Sequence, residues 1–565
     1  TLVLLLFRAS TSGQAQGPAP TDHGRNGLRP YAPFIALATA LLFISHPIQT
    51  QAVTYIVQRF ASLAALFYLL AVVCYLKWRL ASLTTFNSPL STLNWSWYAG
   101  ALLSTLLAMK TKENSFTLPL MILMIEAVFF RPFTRKQWMA LMPFLLTLLI
   151  IPLSRVDAVG EAEAGFAQET TEISRASYLF TQFRVIVTYL RLLFLPINQN
   201  LDYDYPIYHS LFDPPVFFSF LLLLSLLGVA SYLLFRSPRS ILNAQLKLIA
   251  FGILWFFLTL SIESSIIPIR DVIFEHRIYL PSVGILWAGC TVIALCPSQG
   301  WSSSGWKVPV MLLMGIVVLV LSVVTYQRNR IWKDNITLWS NVILKSPMKA
   351  RGYNNLGLSY ASQARWEDAV QQYQKALRLK PDLAEAHTNL AQIYYIQGRL
   401  EEAAQELLAA LEQDPSNAIR HNNLGLIYKG QGLMEEAIQE FKTALALRPD
   451  YGDAHNNLGD SYFTQGHLEE AIKEFQIAAR LKPDLVQAHS NIGAAHFAKG
   501  QIDDAINAYE TVIALKPNDA GALYNLGVTY LRANRLKDAL RVFEQALKID
   551  PNFQDAEQAL DSLPQ

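Results

Sequence analysis

Proline recurs in the second half of the chain with a fixed period of 34 residues. The seven positions are Pro347, Pro381, Pro415, Pro449, Pro483, Pro517 and Pro551. Alanine keeps the same period at six positions, which are Ala369, Ala403, Ala437, Ala471, Ala505 and Ala539. Units of this length bury their apolar faces only by stacking on their neighbours. The period therefore predicts a stacked array in this half of the chain instead of an ordinary globular core.

Two further slots of the repeat are filled by small and aromatic residues. Glycine recurs at Gly357, Gly425, Gly459, Gly493 and Gly527, with Ala391 in the remaining repeat. Tyrosine follows three positions later at Tyr360, Tyr394, Tyr428, Tyr462 and Tyr530, with His496 as the exception. Small residues let paired helices approach closely, and proline ends the second helix of each unit. This tetratricopeptide pattern predicts six repeats over 350–553 and a capping helix over 554–565.

Asparagine occupies one equivalent place in every repeat. The six positions are Asn355, Asn389, Asn423, Asn457, Asn491 and Asn525. In tetratricopeptide folds this place faces the concave groove, and a carboxamide both donates and accepts hydrogen bonds. The pattern resembles the asparagine ladder of the O-linked N-acetylglucosamine transferase superhelix, which implies binding of an extended peptide. The alternative is that each asparagine bonds the neighbouring repeat and fixes its packing, and the two roles can coexist.

Long uncharged apolar runs dominate the first half of the chain. Since a spanning helix needs about 20 mostly apolar residues, we expect nine crossings, near 31–46, 60–76, 95–109, 114–130, 137–154, 215–235, 246–262, 278–296 and 307–326. So many runs in series could not all be buried in a water-soluble core. The sequence therefore predicts an all-α chain: a polytopic membrane domain over 31–326, a linker over 327–349 and a tetratricopeptide-repeat superhelix.

Charge and cysteine content exclude several classes of protein. From residue 345 onward the chain has 22 Lys plus Arg against 29 Asp plus Glu, although the net charge of the whole chain is +2. An acidic repeat part lacks the basic surface that nucleic acid requires. Cys74, Cys290 and Cys296 all lie in or beside apolar runs, which excludes a disulfide framework and a cysteine metal site. Nucleotide-binding and hydrolase motifs are also absent from the sequence.

Basic loops between the apolar runs set the expected orientation. Lys77 and Arg79 follow the second run, whereas the segment 155–175 is acidic. The positive-inside rule places the basic loops in the cytoplasm. Parity then requires that 178–196, which contains Arg184 and Arg191, lies in the interface or is re-entrant. The repeats are expected outside the cytoplasm, in the periplasm if the membrane is a bacterial inner membrane.

This topology gathers polar residues on the outer face. At a membrane boundary such residues are functional candidates, although each one alone could also be a helix-end anchor or part of an ion pair. The set consists of His46, Gln49, Gln51, Arg59, Lys110, Lys112, Glu113, Asp202, Asp204, Arg270, Asp271, Glu275, His276 and Arg277.

Four segments followed by the repeats resemble a known family. They are HPIQTQAVTYIVQRFASLAALFYLLAVVCYL, KTKENSFTLPL, NLDYDYPIY and EHRIYLPSVG. The chain resembles the transmembrane-and-tetratricopeptide-repeat proteins, which are similar to the protein O-mannosyltransferases of the GT-C glycosyltransferase class. The resemblance implies a GT-C-like membrane domain. It also implies inverting transfer of a sugar, with mannose expected, from a polyprenyl-phosphate donor to Ser or Thr of a protein held by the repeats.

The same resemblance implies roles for individual residues. The leaving polyprenyl phosphate develops negative charge that fixed cations stabilise, and Arg59, Lys112 and Arg277 are the candidates. His46, Glu113, Asp202, Asp204, Glu275 and His276 are secondary candidates for donor or metal contacts, and a divalent metal ion stays open as a cofactor. Two departures affect these assignments: Gln51 stands where family members often have Glu, and His276 separates Glu275 from Arg277 where animal members typically have Arg directly after Glu.

The catalytic base is not assigned. The chain starts with TLVLLLF, and we expect residues 1–30 to be the end of a truncated helix and a cytoplasmic loop. GT-C enzymes place their base in the first outer loop, so the chain as written is expected to be inactive. Two alternatives remain open: a non-enzymatic membrane-anchored repeat scaffold for protein interaction or envelope assembly, and a transferase acting on polysaccharide or lipid-linked sugar.

Overall fold

The computed structural model describes residues 2, 4–6, 9, 31–49, 59–84, 92–130, 133–150, 173–235, 241–262, 264, 271–295 and 304–562. All regular secondary structure in these ranges is helical, which confirms the predicted all-α class. The chain divides into two compact units, Thr1–Met348 and Lys349–Gln565.

Eleven α-helices are described in the first unit. They are α1 Tyr31–Ser45, α2 Arg59–Thr84, α3 Thr92–Thr111, α4 Leu118–Phe129, α5 Arg135–Leu146, α6 Arg175–Phe194, α7 Pro214–Phe235, α8 Ile241–Leu260, α9 Tyr279–Leu295, α10 Ser304–Ile331 and α11 Asn335–Lys345. Short 3-10 turns at Pro47–Gln49, Glu113–Thr117 and Glu275–Ile278 adjoin α1, α4 and α9.

Apolar helices of membrane-spanning character are abundant in this unit. Among the described residues, four are long and apolar enough to cross a membrane: Phe60–Leu83, Pro214–Phe235, Glu275–Leu295 and Val308–Ile331. Three shorter apolar helices cover Ala32–Ser45, Ser115–Phe129 and Gln245–Leu260. These seven coincide with seven of the nine predicted crossings, and the other two fall on α3 and α5. The first unit is therefore a membrane domain.

Helix α6 is packed differently from the spans. Its first turn reaches the following loop through a bond of 3.0 Å between Ser177 Oγ and His209 Nδ1. Near its other end, Thr188 Oγ1 lies 2.8 Å from the Tyr205 hydroxyl. The loop after α6 thus runs back along most of the helix, and α6 is not among the helices long and apolar enough to cross. The interfacial or re-entrant position of 178–196 stays a prediction.

Helices α8 and α9 are in close contact at two glycines. A Cβ built on Gly284 would lie 2.3 Å from the Gly252 carbonyl oxygen, and one built on Gly252 would lie 2.5 Å from the Gly284 oxygen. No side chain fits between the two backbones, and small residues are the usual means of such approach in membranes. Trp255 and Trp287 are fully buried beside this crossing and fill the space that the glycines leave.

A buried ion pair joins α2 to α4. Arg79 Nε lies 2.8 Å from Glu126 Oε1, and both side chains are almost inaccessible. The Tyr75 hydroxyl donates to the same oxygen at 2.9 Å, and the Arg79 guanidinium lies over the ring of Phe130. The sequence analysis treated Glu126 as part of an apolar run; the structure shows that its charge is compensated.

Thirteen helices form the second unit. They are α12 Ala350–Ala361, α13 Trp366–Leu379, α14 Ala384–Ile396, α15 Leu400–Gln413, α16 Ala418–Gly430, α17 Met434–Leu447, α18 Gly452–Thr464, α19 Leu468–Leu481, α20 Val486–Lys499, α21 Ile502–Leu515, α22 Ala520–Arg532, α23 Leu536–Ile549 and α24 Gln554–Asp561. Each consecutive pair up to α23 is one repeat, and α24 packs on α23. The predicted linker 327–349 contains the end of α10 and the whole of α11.

The periodic glycines make room for an aromatic ring in the same repeat. A Cβ on Gly527 would lie 2.4 Å from Phe543, and one on Gly357 would lie 2.6 Å from Tyr373. The ring comes 16 residues after the glycine in all five glycine-bearing repeats. In the second repeat Ala391 replaces glycine, and the residue 16 positions later is Leu407, which is smaller than the rings; both are buried. A larger residue in the glycine position is thus accompanied by a smaller residue in the ring position.

Candidate functional site

Several helix ends meet at one end of the membrane domain. His46, directly after α1, is buried, and its Nε2 lies 2.9 Å from the Leu193 carbonyl oxygen at the end of α6. The Gln49 amide donates to Ser282 Oγ in the first turn of α9 at 3.1 Å. The Thr325 hydroxyl near the end of α10 donates to the Ser45 carbonyl at 2.6 Å. These bonds hold the predicted outer-face residues in one neighbourhood.

A narrow cleft in this neighbourhood contains two of the three predicted phosphate-binding cations. Lys112 and Arg277 both line it, together with His276, Ser115 and Thr259. Ala61, Ala64 and Ala65 of α2 form one wall. The space inside is about 20 Å³, which is enough for one water molecule. A phosphate group would enter only if the half-buried Lys112 side chain moved.

Arg277 is held rigidly. Its Nη1 and Nη2 donate to the carbonyl oxygens of Val272 at 3.1 Å and Asp271 at 2.8 Å. The Gln182 amide of α6 donates to the same Val272 oxygen at 2.9 Å. The arginine is 4% exposed, so its charge is oriented by backbone groups before any ligand arrives. Such preorganisation is what stabilisation of a developing anion requires.

The third cation, Arg59, begins α2, the helix that supplies the alanine wall. Its side chain lies outside the described residues, as does that of Glu113, and so do Gln51 and Arg270. The structure therefore brings Lys112, His276 and Arg277 together and carries no information on where the Arg59 and Glu113 side chains lie.

Glu275 is hydrogen-bonded to the loop that follows α6. It is buried and accepts hydrogen bonds from the Asn200 backbone N–H at 2.8 Å and the Tyr203 hydroxyl at 2.6 Å. Gln199 donates to its other oxygen at 3.2 Å, and Arg328 of α10 lies 3.9 Å from that oxygen. Glu275 thus anchors the loop after α6.

The two aspartates of this loop lie elsewhere. Asp202 is buried and Asp204 is exposed, and neither lines the cleft. The described residues contain no group of three His, Cys, Asp or Glu side chains placed to hold a metal ion. Asp202, Asp204 and Glu275 therefore do not line the cleft with Lys112 and Arg277.

A second and larger cavity contains cations that the sequence analysis read only as features of an interfacial helix. It has a volume of about 660 Å³ and is lined by Arg184 and Arg191 of α6 and by Lys345 of α11. Tyr203, Tyr205 and Tyr208 of the intervening loop complete the lining, with Asn198 and Asn200. The sequence signal that could have indicated this site is the spacing of Arg184 and Arg191, seven residues apart on one helix face.

The asparagine ladder of the repeats follows a simple rule. Asn389 donates from its side-chain amide to Asn354 at 3.0 Å, Asn457 to Asn422 at 2.9 Å and Asn491 to Asn456 at 3.1 Å. Each acceptor lies 35 residues earlier, in the preceding repeat. For Asn423 and Asn525 the residue at that distance is Thr388 or Ser490, and no equivalent amide bond is formed among the described residues. The packing role therefore applies to three of the six asparagines.

A histidine–glutamate ladder was not anticipated from the sequence. His387, His421 and His455 place Nδ1 2.6, 2.6 and 2.5 Å from Glu406, Glu440 and Glu474. The Nε2 atom of each ring lies 2.9, 3.0 and 3.1 Å from the carbonyl oxygen of the repeat proline. Only a protonated ring donates to both acceptors. The fourth histidine, His489, keeps the carbonyl contact, but Ala508 stands in the glutamate slot.

The repeats match known family models. A model described as Tetratricopeptide repeat matches residues 354–418 and 491–552, and a model described as TPR repeat matches 431–466 and 459–500. Solved structures with similar repeats include YrrB, described as a TPR protein with an unusual peptide-binding site. It is 26% identical, covers 34% of this chain and 99% of its own, and has a TM-score of 0.30. PilW, a type IV pilus biogenesis factor, is 20% identical, covers 37% and 98%, and has a TM-score of 0.36.

Two curated relatives are similar to this chain, and the longer match extends beyond the repeats. Protein O-mannosyl-transferase TMTC3 of Homo sapiens is 24% identical over 357 residues, which is 57% of this chain and 36% of the relative. Protein O-mannosyl-transferase Tmtc1 of Drosophila melanogaster is 37% identical over 98 residues, which is 17% of this chain and 11% of the relative. The matches thus span well under half the length of each relative. Fold and similarity together show a membrane protein with tetratricopeptide repeats that resembles the TMTC family.

Proposed function

We propose that this protein takes part in protein glycosylation at a membrane, using a polyprenyl-phosphate sugar as donor and Ser or Thr of a protein as acceptor. The observation that carries the proposal is the convergence of Lys112 and Arg277, from distant parts of the chain, on one cleft. The similarity to two protein O-mannosyl-transferases gives the same reaction class, with mannose as the expected sugar.

In this proposal the cleft binds the phosphate of the donor. Breaking the sugar–phosphate bond leaves both bonding electrons on the phosphate oxygen, and Arg277 and Lys112 stabilise that charge. Arg59 is the third proposed cation. The acceptor hydroxyl attacks the sugar carbon from the opposite side and loses its proton to a base. No carboxylate is among the described residues that line the cleft, so the base lies outside this set.

Binding of a short isoprenyl phosphate to the full chain in detergent tests the donor site. The Lys112→Gln variant removes one charge-assisted hydrogen bond, worth roughly 1.5–3 kcal/mol, so the dissociation constant for citronellyl phosphate should rise about 10- to 100-fold. Lys110→Gln is the matched control, because Lys110 is exposed and does not line the cleft. Equal affinities for Lys112→Gln, Lys110→Gln and the unaltered chain would remove the cleft as the donor site.

The repeats are proposed to hold the acceptor as an extended chain. Neither Asn423 nor Asn525 makes an amide bond to the preceding repeat among the described residues. The Asn423 oxygen accepts from Asn422 at 3.5 Å, so the Asn423 amide nitrogen and the Asn525 carboxamide are the groups proposed to bind a peptide backbone. Asn389, Asn457 and Asn491 use their amide nitrogen for packing. The Asn491 oxygen also accepts from Gln487 at 3.0 Å, so the amide oxygens of Asn389 and Asn457 are the acceptors proposed for the peptide. A ladder that binds backbone groups selects for extended conformation and not for sequence.

Paired substitutions separate the two roles. Asn423→Ala with Asn525→Ala should weaken binding of a Ser/Thr-rich peptide about 5- to 150-fold, at roughly 0.5–1.5 kcal/mol per hydrogen bond, and leave the unfolding midpoint unchanged. Asn457→Ala with Asn491→Ala should lower the midpoint as well. Unchanged peptide affinity in the first pair, with an unchanged midpoint, would leave the asparagines with packing alone.

We also propose that the repeats lie outside the cytoplasm, in the periplasm of a bacterial inner membrane. The support is the charge pattern of the sequence: Arg131, Arg135 and Lys136 follow the fourth apolar run, whereas the segment 155–175 is acidic. Lys77 and Arg79 do not contribute, because they lie within α2. Single cysteines at Ser240 and Ser416, labelled with an impermeant thiol reagent on intact spheroplasts, test this orientation. Ser416→Cys should be labelled and Ser240→Cys should not; the reverse pattern would invert the orientation.

A further inference from the structure

The cavity lined by Arg184, Arg191 and Lys345 carries an excess of positive charge. Arg184, Thr188 and Arg191 share one face of α6, since they are four and then three residues apart. Lys345, in the last turn of α11, donates to the Gln199 carbonyl at 2.6 Å, and this fixes its position at the cavity wall. No Asp or Glu is among the described residues that line the cavity.

The acidic groups nearby are already committed to other partners. Glu275 accepts from Asn200 and Tyr203 and faces Arg328, behind the cavity wall. Asp202 and Asp204 alternate with the lining residues Tyr203 and Tyr205 along an extended loop, and side chains alternate in direction in such a backbone. Burial, and after it the charge of Arg328, lowers the pKa of Lys345, and Glu275 opposes this shift only in part. The described lining of the cavity therefore has three cationic side chains and no carboxylate.

The polar groups in the wall are those that bind phosphate. Guanidinium groups form paired hydrogen bonds with phosphate oxygens, and both Arg184 and Arg191 act electrostatically on the Tyr205 hydroxyl. Burial raises the pKa of Tyr205, so the hydroxyl stays protonated and can donate. At about 660 Å³ the space is large enough for a headgroup.

Exposed apolar side chains adjoin the residues that line the cavity, and a candidate membrane span ends close to them in sequence. Leu344, which lines the cavity, is 79% exposed, and Phe194, Leu195 and Ile197 after Arg191 are all exposed. The helix that bears Lys345 starts four residues after the end of the candidate span Val308–Ile331. Tyrosine and arginine are typical of membrane interfaces. An anionic head with apolar chains matches both the lining and these apolar side chains.

We propose that this cavity binds the phosphate group of a membrane lipid. The site is distinct from the cleft of Lys112 and Arg277, and the inference does not rest on the proposed glycosylation. The two arginines and Lys345 hold the phosphate, the hydroxyls of Tyr205 and Tyr208 donate to it, and the acyl or isoprenyl chains leave past the exposed apolar side chains.

Calorimetry on the full chain in a non-ionic detergent tests the site with three probes. Dihexanoyl phosphatidic acid carries phosphate and short chains, inorganic phosphate carries no chains, and dihexanoylglycerol carries no phosphate. We expect the first to bind at least about tenfold more tightly than either of the others. Arg184→Gln with Arg191→Gln should weaken its binding at least about tenfold, since two charged donors are lost. Arg175→Gln is the matched control, an exposed arginine on the same helix outside the cavity.

Each outcome decides the proposal. Equal binding of phosphatidic acid and inorganic phosphate would show a free-phosphate site and overturn the lipid assignment, and equal binding of dihexanoylglycerol would overturn the phosphate assignment. A double variant with unaltered affinity and an unaltered far-ultraviolet spectrum would overturn the location. The Lys345→Gln variant gives an independent reading if the arginine variant is poorly folded. The Lys112→Gln variant should leave this binding unchanged, so failure here and failure of the donor cleft are separable.

Discussion

Glycine allows close packing in both parts of the molecule, but its partners differ. In the membrane domain Gly252 and Gly284 lie 32 residues apart on α8 and α9 and face each other's backbone. In the repeats each glycine faces a ring 16 residues later in its own unit, as Gly527 faces Phe543. Among the described residues the glycine–glycine pairing occurs once, whereas the glycine–ring pairing occurs five times. A contact that occurs once between two helices produces no periodic pattern in the sequence. A contact that recurs from unit to unit produces a periodic pattern.

Charged residues show the same difference. In the membrane domain the closest buried pair among the described residues joins Arg79 to Glu126, 47 residues later in the chain. The repeats carry their pairs on the surface between near neighbours, such as Arg365 with Asp368, whose side chains are 49% and 42% exposed. Burial makes a charge depend on its partner, while water replaces a lost partner at the surface. The two regions should therefore respond very differently to the loss of one charge.

The largest effect is expected from breaking the buried pair. Glu126→Leu leaves the Arg79 guanidinium buried without its counter-charge, which should destabilise the folded state by about 3–5 kcal/mol. Thermal unfolding of the full chain in detergent, followed by circular dichroism, measures this. Asp368→Asn is the control on the surface, and its effect should stay below about 0.5 kcal/mol.

A double substitution sharpens this contrast. Arg79→Met combined with Glu126→Leu removes both charges, and replacing a buried pair by apolar residues of similar volume is often close to neutral. The double variant should therefore recover most of the stability lost by Glu126→Leu. If the single variant matches Asp368→Asn, the buried pair has no special role and the comparison of the two regions fails.

The fold was largely predictable, for reasons that differ between the regions. Apolar runs of about 20 residues and a 34-residue period both follow from burial, so seven of the nine predicted crossings appear as apolar helices and the repeats match their family models. Glu126 was overlooked because one carboxylate hardly changes the hydropathy of its run. Its partner Arg79 could be found only from tertiary structure.

The candidate site was predictable only in part. Lys112 and Arg277 line one cleft, and each lies next to the end of a helix that the sequence predicted; their role stays a prediction. The cavity around Arg184 and Arg191 was missed, because its third cation, Lys345, comes from a helix more than 150 residues later. The bonding of the asparagine ladder depends on the residue 35 positions earlier, which the pattern of asparagines alone does not reveal.

An intermediate effect is expected from filling the space beside a repeat glycine. In Gly527→Ala the new methyl group would meet the buried Phe543 ring at 2.4 Å, and overpacking of this kind typically destabilises by about 1–3 kcal/mol. Adding Phe543→Leu should restore part of the loss, since the second repeat already combines Ala391 with Leu407. Gly521→Ala in the same helix meets only ordinary contact at 3.4 Å and should be unchanged or slightly more stable. The urea unfolding midpoints of the unaltered chain and the three variants measure these effects. A Gly527→Ala midpoint equal to that of Gly521→Ala would show that the ring does not need the glycine.

The smallest expected effect depends on pH and uses the histidine–glutamate ladder. Burial alone would lower the pKa of His455, but hydrogen bonds to Glu474 and to the Pro449 carbonyl outweigh it, so the pKa of His455 is raised. A raised pKa in the folded state means that the stabilisation is fully present below the unfolded value of about 6.5 and is lost as the pH rises through the folded value. The difference in unfolding free energy between the unaltered chain and His455→Gln should therefore be larger at pH 5.5 than at pH 8.5.

His489→Gln supplies the comparison for this effect, because His489 keeps the carbonyl contact at 3.0 Å and has Ala508 in place of the glutamate. The difference in unfolding free energy between the unaltered chain and His489→Gln should change less between the two pH values. No carboxylate in the glutamate position favours the protonated ring there. A difference for His455→Gln that stays constant, or grows toward pH 8.5, would show that the ring is neutral in the folded repeats and that the ladder is a packing feature only.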